Sequence, residues 1–393
     1  MPALSLLFLT AFRCPMIDIL NLTRQELVEF ITSLGEKPFR ADQVWSWLWH
    51  HGARNFDEMS NVAKSLRAKL AERSFIRWPE VVKESVSGDG TVKFLLQLAD
   101  GELVETVLIP SESKTGERRM TQCLSCQVGC AMGCTFCSTG GMGFTRNMTQ
   151  SEILGQVLVG RDYLDDFKKS ELLRNLVFMG MGEPLMNFRE VMRSLETLNS
   201  ESGLAFSRRR VTVSTCGVKK GLAELGESGY AFLAISLHAP DQALREKLMP
   251  GAAHWALSDL LEALAEYPLA TRERITFEYL LLGGVNDSVE QATRLARLTR
   301  RMGAKINLIV YNPAEGAPYK APSPERILAF EKELWRHGVV AILRKSKGQD
   351  IKAACGQLKA EAMFGQASGN SAREAGSPDE QSEPEEGGKP GVM

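Results

Sequence analysis

Residues 119–140 read RMTQCLSCQVGCAMGCTFCSTG and hold five of the chain's eight cysteines, namely Cys123, Cys126, Cys130, Cys134 and Cys137. The other three, Cys14, Cys216 and Cys355, stand alone. Secreted scaffolds spread their cysteines through a small chain, whereas a tight cluster in a large chain indicates metal or redox chemistry in a reducing compartment. The stretch therefore predicts a metal or thiol site in a cytoplasmic protein.

Three of these cysteines have the spacing C-x3-C-x2-C. We predict that Cys130, Cys134 and Cys137 bind a [4Fe–4S] cluster from one loop and leave its fourth iron without a protein ligand. An open iron can bind the amino and carboxylate groups of S-adenosylmethionine (SAM) and pass an electron to its sulfonium. Cysteine number alone leaves a zinc site or a regulatory thiol cluster open as alternatives.

Around this loop, short apolar runs alternate with amphipathic stretches, a pattern typical of βα units. Strands are predicted at 119–124, 176–179, 211–214, 232–237, 275–282, 306–311 and 339–343. Helices are predicted between them, at 149–164, 188–198, 222–226, 257–266, 288–302 and 324–337. About six such repeats predict an α/β fold, a partial (β/α)6 TIM-type barrel with a parallel sheet and with ligands at the C-terminal ends of its strands.

A cysteine loop directly after the first strand of such a barrel resembles the radical-SAM superfamily, with Phe136 as the aromatic residue before the last cysteine. The run Met179-Gly-Met-Gly-Glu183-Pro184 is similar to the superfamily motif that contacts the methionine amino group of SAM. Taken singly, the residues at predicted strand ends are equally consistent with structural caps or, for His238, a core histidine. The resemblance implies SAM contacts from Gly182, Glu183, Ser214, Ser236, Leu237, His238 and Asn312.

The sequence before the barrel predicts a small helical domain and a β-hairpin. Residues 16–90 show helical spacing and a capping box at Thr23 and Glu26, which predicts a small helical domain whose tryptophans form its core. Residues 91–115 contain two alternating runs about a turn, a hairpin expected to join this domain to the barrel at 116–362.

Both termini differ from the rest of the chain. Residues 1–15 lack a basic segment before their apolar run and are interpreted as an extension upstream of a start at Met16. Residues 363–393 are mostly Ser, Gly, Glu and Pro, which predicts a disordered acidic tail. The net charge of −1 gives no signature of nucleic-acid binding. No apolar run reaches the roughly 20 residues of a membrane span, which excludes a membrane enzyme.

Three further residues point to one family within this superfamily. Cys355 follows the last predicted strand, within DIKAACGQL, Cys123 precedes the first cluster cysteine by seven residues, and Glu105 lies in VETVLIP. Over residues 16–360 these segments resemble the RlmN family of dual-specificity radical-SAM RNA methyltransferases.

This resemblance implies a reaction. One SAM methylates Cys355, and a second, bound to the cluster, yields a radical that takes hydrogen from the S-methyl group, so that the carbon radical adds to C2 of an adenine. Glu105 is then the proton acceptor, and Cys123 is the resolving thiol that releases the product as a disulfide with Cys355. The family pattern does not require Cys126, which is left as an alternative resolving thiol. An exposed strand carboxylate is the alternative for Glu105.

The implied substrates are adenine 2503 of 23S rRNA, before or during assembly, and adenine 37 of some tRNAs. The base must be unpaired, because a stacked base cannot reach a buried cluster. The resemblance further implies a flavodoxin or ferredoxin as reductant, and we expect a monomer. Two alternatives stay open: the related C8-adenine rRNA methyltransferase of antibiotic resistance, and a non-catalytic iron–sulfur sensor that binds RNA.

Overall fold

The computed structural model describes residues 16–112, 116, 118–168, 172–300, 302–313 and 317–360. The chain divides into a compact unit, Met1–Ala360, and a second unit, Glu361–Met393. The predicted upstream extension and the predicted acidic tail both lie outside the described residues. The described residues therefore all belong to the first unit.

Fourteen β-strands lie within the described ranges. They are β1 Ile17–Asp18, β2 Ser74–Phe75, β3 Glu80–Val86, β4 Val92–Gln97, β5 Leu103–Glu112, β6 Arg118–Cys123, β7 Gln127–Gly129, β8 Phe144–Asn147, β9 Leu173–Phe178, β10 Val211–Thr215, β11 Phe232–Ser236, β12 Thr276–Leu281, β13 Lys305–Val310 and β14 Val340–Arg344.

Eleven α-helices lie within the same ranges. They are α1 Arg24–Ser33, α2 Arg40–Trp49, α3 Lys64–Arg73, α4 Ser138–Gly141, α5 Gln150–Tyr163, α6 Phe188–Asn199, α7 Leu222–Ser228, α8 Gln242–Leu248, α9 Leu257–Ala265, α10 Val289–Arg300 and α11 Pro324–Arg336. Among these helices, none has the length and apolar character needed to cross a lipid bilayer.

Ten of the described strands form one sheet, in the order β14-β13-β12-β11-β10-β9-β6-β5-β4-β3. The seven strands from β14 to β6 in this order run parallel, and helices form the connections between them. This arrangement confirms the predicted α/β fold with a partial barrel. Strands β7 and β8 form a separate antiparallel pair, and the cysteine loop connects them.

The predicted hairpin corresponds to β4 and β5. These strands pair antiparallel with each other, and β4 also pairs with β3 while β5 pairs with β6. The hairpin therefore continues the main sheet, and its neighbours on both sides satisfy its backbone hydrogen bonds.

Local signals in the sequence account for most of these elements. The capping box predicted at Thr23 is formed, and a second capping box begins the predicted helix at Thr149. All six residues of β12 are buried, as expected for a parallel strand with both faces covered. Helix α8 is absent from the sequence prediction, because its seven residues show little beyond the N-cap at Asp241.

The N-terminal helices pack as a small core and contact the barrel. Trp45 and Trp49 are buried and meet edge to face, with ring centroids 5.6 Å apart. Arg193 on α6 bonds both carboxylate oxygens of Glu26 at 2.7 and 2.8 Å, and the Gln150 amide donates to the Leu20 carbonyl at 3.0 Å. These contacts join the helical region to α5 and α6 of the barrel.

Ser125, between β6 and β7, connects three elements at the base of the cysteine loop. Its N–H donates to Oε1 of Gln156 at 2.9 Å, and its carbonyl accepts from Nε2 of the same side chain at 2.8 Å. Its hydroxyl donates to the Glu105 carbonyl at 2.6 Å and accepts from the Met181 N–H at 2.9 Å. Ser125 and Gln156 are both completely buried, so no water replaces these partners.

Replacing Gln156 with leucine should therefore destabilise the fold, because two buried backbone groups of Ser125 lose their partners. At about 1–3 kcal/mol for each unsatisfied group, we expect the free energy of unfolding to fall by about 2–6 kcal/mol. Gln291→Leu is the matched control, since that amide also bonds two backbone groups but lies half-buried at a helix start. Denaturant unfolding measures both variants, and equal losses would contradict the argument.

Candidate active site

Two neighbouring cavities lie at the C-terminal ends of the parallel strands, where this fold binds ligands. The first, of about 140 Å³, is named the thiol cavity, because it is lined by Cys130, Cys134, Cys137, Cys216 and Cys355. The second, of about 90 Å³, is named the lysine-lined cavity and contains Lys345 and Lys347. The residues common to both are Met179, Glu278, Ile309 and Cys355.

The backbone around the cysteine loop, residues 130–137, is closely packed. The Cys130 N–H donates to the Gly143 carbonyl at 2.7 Å, and the Cys137 N–H donates to the Cys134 carbonyl at 3.1 Å. A Cβ at Gly140 would lie 2.8 Å from both the backbone nitrogen and the carbonyl oxygen of Cys134. Glycine is therefore required at this position for the chain to approach the loop.

The end of the cysteine loop also bonds the segment that carries Cys355. The Ser138 N–H donates to the Gly356 carbonyl at 2.7 Å, and the Thr139 hydroxyl donates to the Leu358 carbonyl at 2.6 Å. These two bonds hold Cys355 beside the cysteine loop.

The thiols of the loop fit a [4Fe–4S] cluster by chemical type and by number. Burial raises the pKa of Cys130 to about 12 and also raises the pKa of Cys137. Such thiols stay protonated until a metal replaces their protons. In the described part of the chain, no three His, Cys, Asp or Glu side chains converge to a metal-ligating geometry. Cys130, Cys134 and Cys137 are the residues that would hold the cluster.

Glu183 is a buried carboxylate on the wall of the thiol cavity. Its Oε2 accepts from the Cys216 N–H at 2.7 Å, and its Oε1 accepts from the Leu185 N–H at 3.0 Å. Burial raises the pKa of Glu183, while the buried guanidinium of Arg245 provides a nearby positive charge. The side chains of Thr215 and Cys216 also hydrogen-bond this carboxylate, so an ammonium group in the cavity would replace one of these partners.

Three more of the predicted SAM contacts line the thiol cavity, namely Gly182, Ser214 and Ser236. Gly182 has φ +103°, and a Cβ there would lie 2.6 Å from the Cβ of Gln127, so the turn requires glycine. The hydroxyls of Ser214 and Ser236 lie 3.3 Å apart on adjacent strands. Together they present a polar edge to the cavity.

His238 lines the thiol cavity as a neutral side chain. Burial and the charge of Arg245 lower its pKa to about 3. Its Nδ1 accepts from the Leu280 N–H at 3.0 Å, which leaves the proton on Nε2. The ring meets Phe136 edge to face at 5.0 Å. His238 is therefore a hydrogen-bond donor at this site.

Two predicted SAM contacts lie elsewhere. Leu237 is completely buried in the core, and its N–H donates to the Glu278 carbonyl at 3.1 Å. Asn312 lines the lysine-lined cavity, where its Oδ1 accepts from Gln349 at 2.5 Å. Its Nδ2 has no hydrogen-bond partner within the described ranges, so this amide has a free donor at the cavity.

Cys123 and Cys355 line the lysine-lined cavity together. Burial raises the pKa of Cys123, and the charge of Cys355 raises it further, so the two thiols are close enough to interact. All of the described cysteines are free thiols. Cys126 is buried outside both linings, and its N–H donates to the Met181 carbonyl at 2.8 Å.

Glu105 contacts the segment that carries Cys355 but lies outside the linings of both cavities. It is 4% exposed, so the alternative of an exposed strand carboxylate is wrong. Its Oε1 pairs with the Lys93 ammonium at 2.8 Å, and its Oε2 accepts from the Lys359 N–H at 2.8 Å. The ammonium also donates to the Lys352 carbonyl at 3.2 Å. Both carboxylate oxygens are therefore engaged.

The sequence patterns did not indicate two residues of the thiol cavity. The Cys216 thiol hydrogen-bonds with Cys134, although Cys216 stands alone in the sequence. Its place two residues after Ser214, at the end of the same strand, was a usable signal. Glu278 is a carboxylate within the buried strand β12, and an ionisable residue at such a position is itself a signal, because charged side chains are rarely buried without a reason.

Comparison with known proteins identifies the family. Residues 17–76 match the model described as the ribosomal RNA large subunit methyltransferase N-terminal domain, and residues 124–296 match the radical SAM superfamily. A protein of Nitratidesulfovibrio vulgaris (strain DP4), named dual-specificity RNA methyltransferase RlmN, is 69% identical over 350 residues, which cover 88% of this chain and 96% of that protein. The chain belongs to the RlmN family.

Another RlmN relative and a solved structure support this family assignment. The RlmN protein of Lawsonia intracellularis is 56% identical over 346 residues, covering 88% of this chain and 97% of that one. A crystal structure of a radical SAM methyltransferase from Sphaerobacter thermophilus matches with a TM-score of 0.82 and 42% identity, covering 88% of this chain and 100% of that chain. Membership of the radical SAM superfamily implies a [4Fe–4S] cluster and SAM.

Iron content should separate the cluster ligands from the other cysteines. We expect Cys130→Ser, Cys134→Ser and Cys137→Ser each to lose most of the iron, because a cluster held by three thiols cannot spare one. Cys216→Ser is the matched control and should keep its iron, since serine preserves the backbone bond to Glu183. Iron and sulfide analysis after anaerobic reconstitution, with EPR of the reduced protein, measures this. Equal iron loss in the Cys216 variant would contradict the three-ligand assignment.

Proposed function

We propose that this protein is a radical SAM RNA methyltransferase that methylates C2 of adenine, at adenine 2503 of 23S rRNA and adenine 37 of some tRNAs. The observation that carries the proposal is that Cys355 lines both the thiol cavity and the lysine-lined cavity. A sulfur atom open to both can receive a methyl group on one side and deliver carbon to a base on the other. A sensor protein has no use for such a cysteine.

The chemistry of the target atom explains the need for a radical. C2 of adenine is electron-poor and does not act as a nucleophile, so ordinary methyl transfer from SAM cannot reach it. When bound at Cys130, Cys134 and Cys137, the cluster supplies the electron that starts radical chemistry on SAM. A methylene radical on the sulfur of Cys355 can add to an electron-poor carbon.

Cys123 then releases the product. Its thiolate attacks the sulfur of Cys355, so that an S–S bond forms as the C–S bond breaks. The electron pair of the broken bond stays with the carbon on the base, which takes up a proton. Cys123 shares the lysine-lined cavity with Cys355, whereas Cys126 is outside both linings, which favours Cys123 as the resolving thiol.

After the radical adds, the base carries one unpaired electron, which the bound cluster would accept as the C2 proton leaves and the aromatic ring is restored. Glu105 is the proposed acceptor of that C2 proton. Its two donors, the Lys93 ammonium and the Lys359 N–H, hold the carboxylate beside the segment that carries Cys355. Lys359 follows the Cys355 segment, so a movement of this segment on RNA binding would release one carboxylate oxygen toward the base.

The surroundings of Cys355 suit an RNA substrate. Arg344, Lys345 and Lys347 line the cavity beside Cys355, and positive charge there can neutralise the phosphates that flank a target base. The target adenine must leave its stack to enter. We further propose that a flavodoxin or ferredoxin reduces the enzyme, and that it acts as a cytoplasmic monomer.

The test uses anaerobically reconstituted protein with SAM, a reductant and RNA that lacks the modification. The RNA is digested to nucleosides, and mass spectrometry compares the product with 2-methyladenosine and 8-methyladenosine standards. We expect 2-methyladenosine from the wild type and none from Cys355→Ala. Cys123→Ala should accumulate a covalent protein–RNA adduct, because no thiol releases it, whereas Cys126→Ala should turn over.

Three results would change the proposal. 8-Methyladenosine would move the target to the other carbon. A missing product with intact SAM cleavage would remove the RNA assignment. Turnover by Cys123→Ala with an adduct in Cys126→Ala would exchange the roles of these two cysteines.

A further inference from the structure

Glu278 on β12 is a buried carboxylate that the steps described above leave without a role. Among the four residues common to the thiol cavity and the lysine-lined cavity, Glu278 and Cys355 are the two with ionisable side chains. A carboxylate and a thiol that line the same two cavities lie around one shared space. Burial raises the pKa of the Cys355 thiol, and the negative charge of Glu278 raises it further, which is consistent with the two groups lining the same space.

The bonds of Glu278 fix its position but leave one oxygen available. Its backbone carbonyl accepts from the Leu237 N–H at 3.1 Å, and its Oε1 accepts from the Asn307 amide at 2.8 Å. Within the described ranges, the Asn307 bond is the one hydrogen bond to this carboxylate, so Oε2 is free to accept a proton. Arg344 and Lys305 are the nearby cations, and their charges oppose the effect of burial, which raises the pKa of Glu278.

The proposed reaction releases two protons at different stages. The first leaves the Cys355 thiol when its sulfur is methylated, and the second leaves C2 of the adenine. Both carboxylate oxygens of Glu105 are already bonded, and the residue lies outside the cavity linings. Glu105 is therefore poorly placed to accept the thiol proton of Cys355. His238 lines the thiol cavity, but its Nδ1 already accepts from the Leu280 N–H.

We propose that Glu278 accepts the thiol proton of Cys355 when SAM methylates that sulfur, an inference that rests on the proposed function. The S–H bond of Cys355 and the C–S bond of the SAM sulfonium break, while the new S–CH3 bond and an O–H bond on Glu278 form. The products are S-methylcysteine, S-adenosylhomocysteine and a neutral carboxylic acid. Charge and atoms balance without another reactant.

The test follows methyl transfer to Cys355 without RNA. Reconstituted protein is incubated with SAM that carries a trideuterated methyl group, and peptide mass spectrometry measures the labelled fraction of Cys355 over time. Glu278→Gln keeps the shape and the Asn307 bond but removes the proton acceptor. Since general-base catalysis contributes about 100-fold or more, we expect transfer to slow roughly 100-fold at pH 7. Glu278→Asp should restore part of the rate.

A second measurement separates proton transfer from structural damage. Iodoacetamide labels Cys355 in proportion to its thiolate, and loss of the Glu278 charge should make the thiol easier to ionise. We therefore expect Cys355 in Glu278→Gln to label a few-fold faster while its enzymatic methylation slows. Glu333→Gln changes a buried carboxylate on α11 that lines neither cavity, so this matched control should change neither rate.

Each other result decides against the inference. Wild-type transfer rates in Glu278→Gln would overturn it and leave the proposed function intact. Slower labelling together with slower methylation would also overturn it, because that pattern means a displaced Cys355 segment. If the wild type places no deuterated methyl group on Cys355, the proposed function fails and this inference fails with it.

Discussion

The active-site half of the molecule depends on the hydrogen bonds of Ser125, because a buried backbone amide cannot remain without a partner. The side chain of Gln156 hydrogen-bonds both backbone groups of Ser125. The hydroxyl of Ser125 bonds the Glu105 carbonyl and the Met181 N–H. Helix α5, strand β5 and the turn after β9 therefore meet at one residue. That meeting fixes where the chain enters the β7–β8 pair, and with it where the cysteine loop faces the barrel.

The fold was predictable wherever its signals are local. Both capping boxes form because their partners lie three residues apart, and the parallel strands begin and end within a few residues of the apolar runs. The place of the hairpin at 91–115 was not predictable, since it depends on the pairing of β5 with β6 and of β4 with β3. Helix α8 escaped prediction because buried Arg245 interrupts the apolar pattern of a very short helix.

Some residues of the candidate site were likewise predictable from local sequence, and others were not. Spacing within one loop identifies Cys130, Cys134 and Cys137, and the strand-end rule identifies Ser236 and His238. Leu237 lies just past the end of β11, between these two residues, and enters the core instead. The bond from the Lys359 N–H to Glu105 and the approach of Cys216 to Cys134 join residues far apart in sequence, so a single sequence without known contacts could not reveal them. The family resemblance supplied roles for residues whose positions only the fold determines.

The bond between Thr139 and Leu358 spans 219 residues of the chain, and this separation has a consequence for biosynthesis. A ribosome adds roughly 5–20 residues per second, so the loop cysteines leave it on the order of 10–40 s before their partner segment exists. Throughout that interval the growing chain carries the three thiols without the segment that encloses them. A chain released before Gly356 would contain all three loop cysteines and still be unable to close the cavity around them.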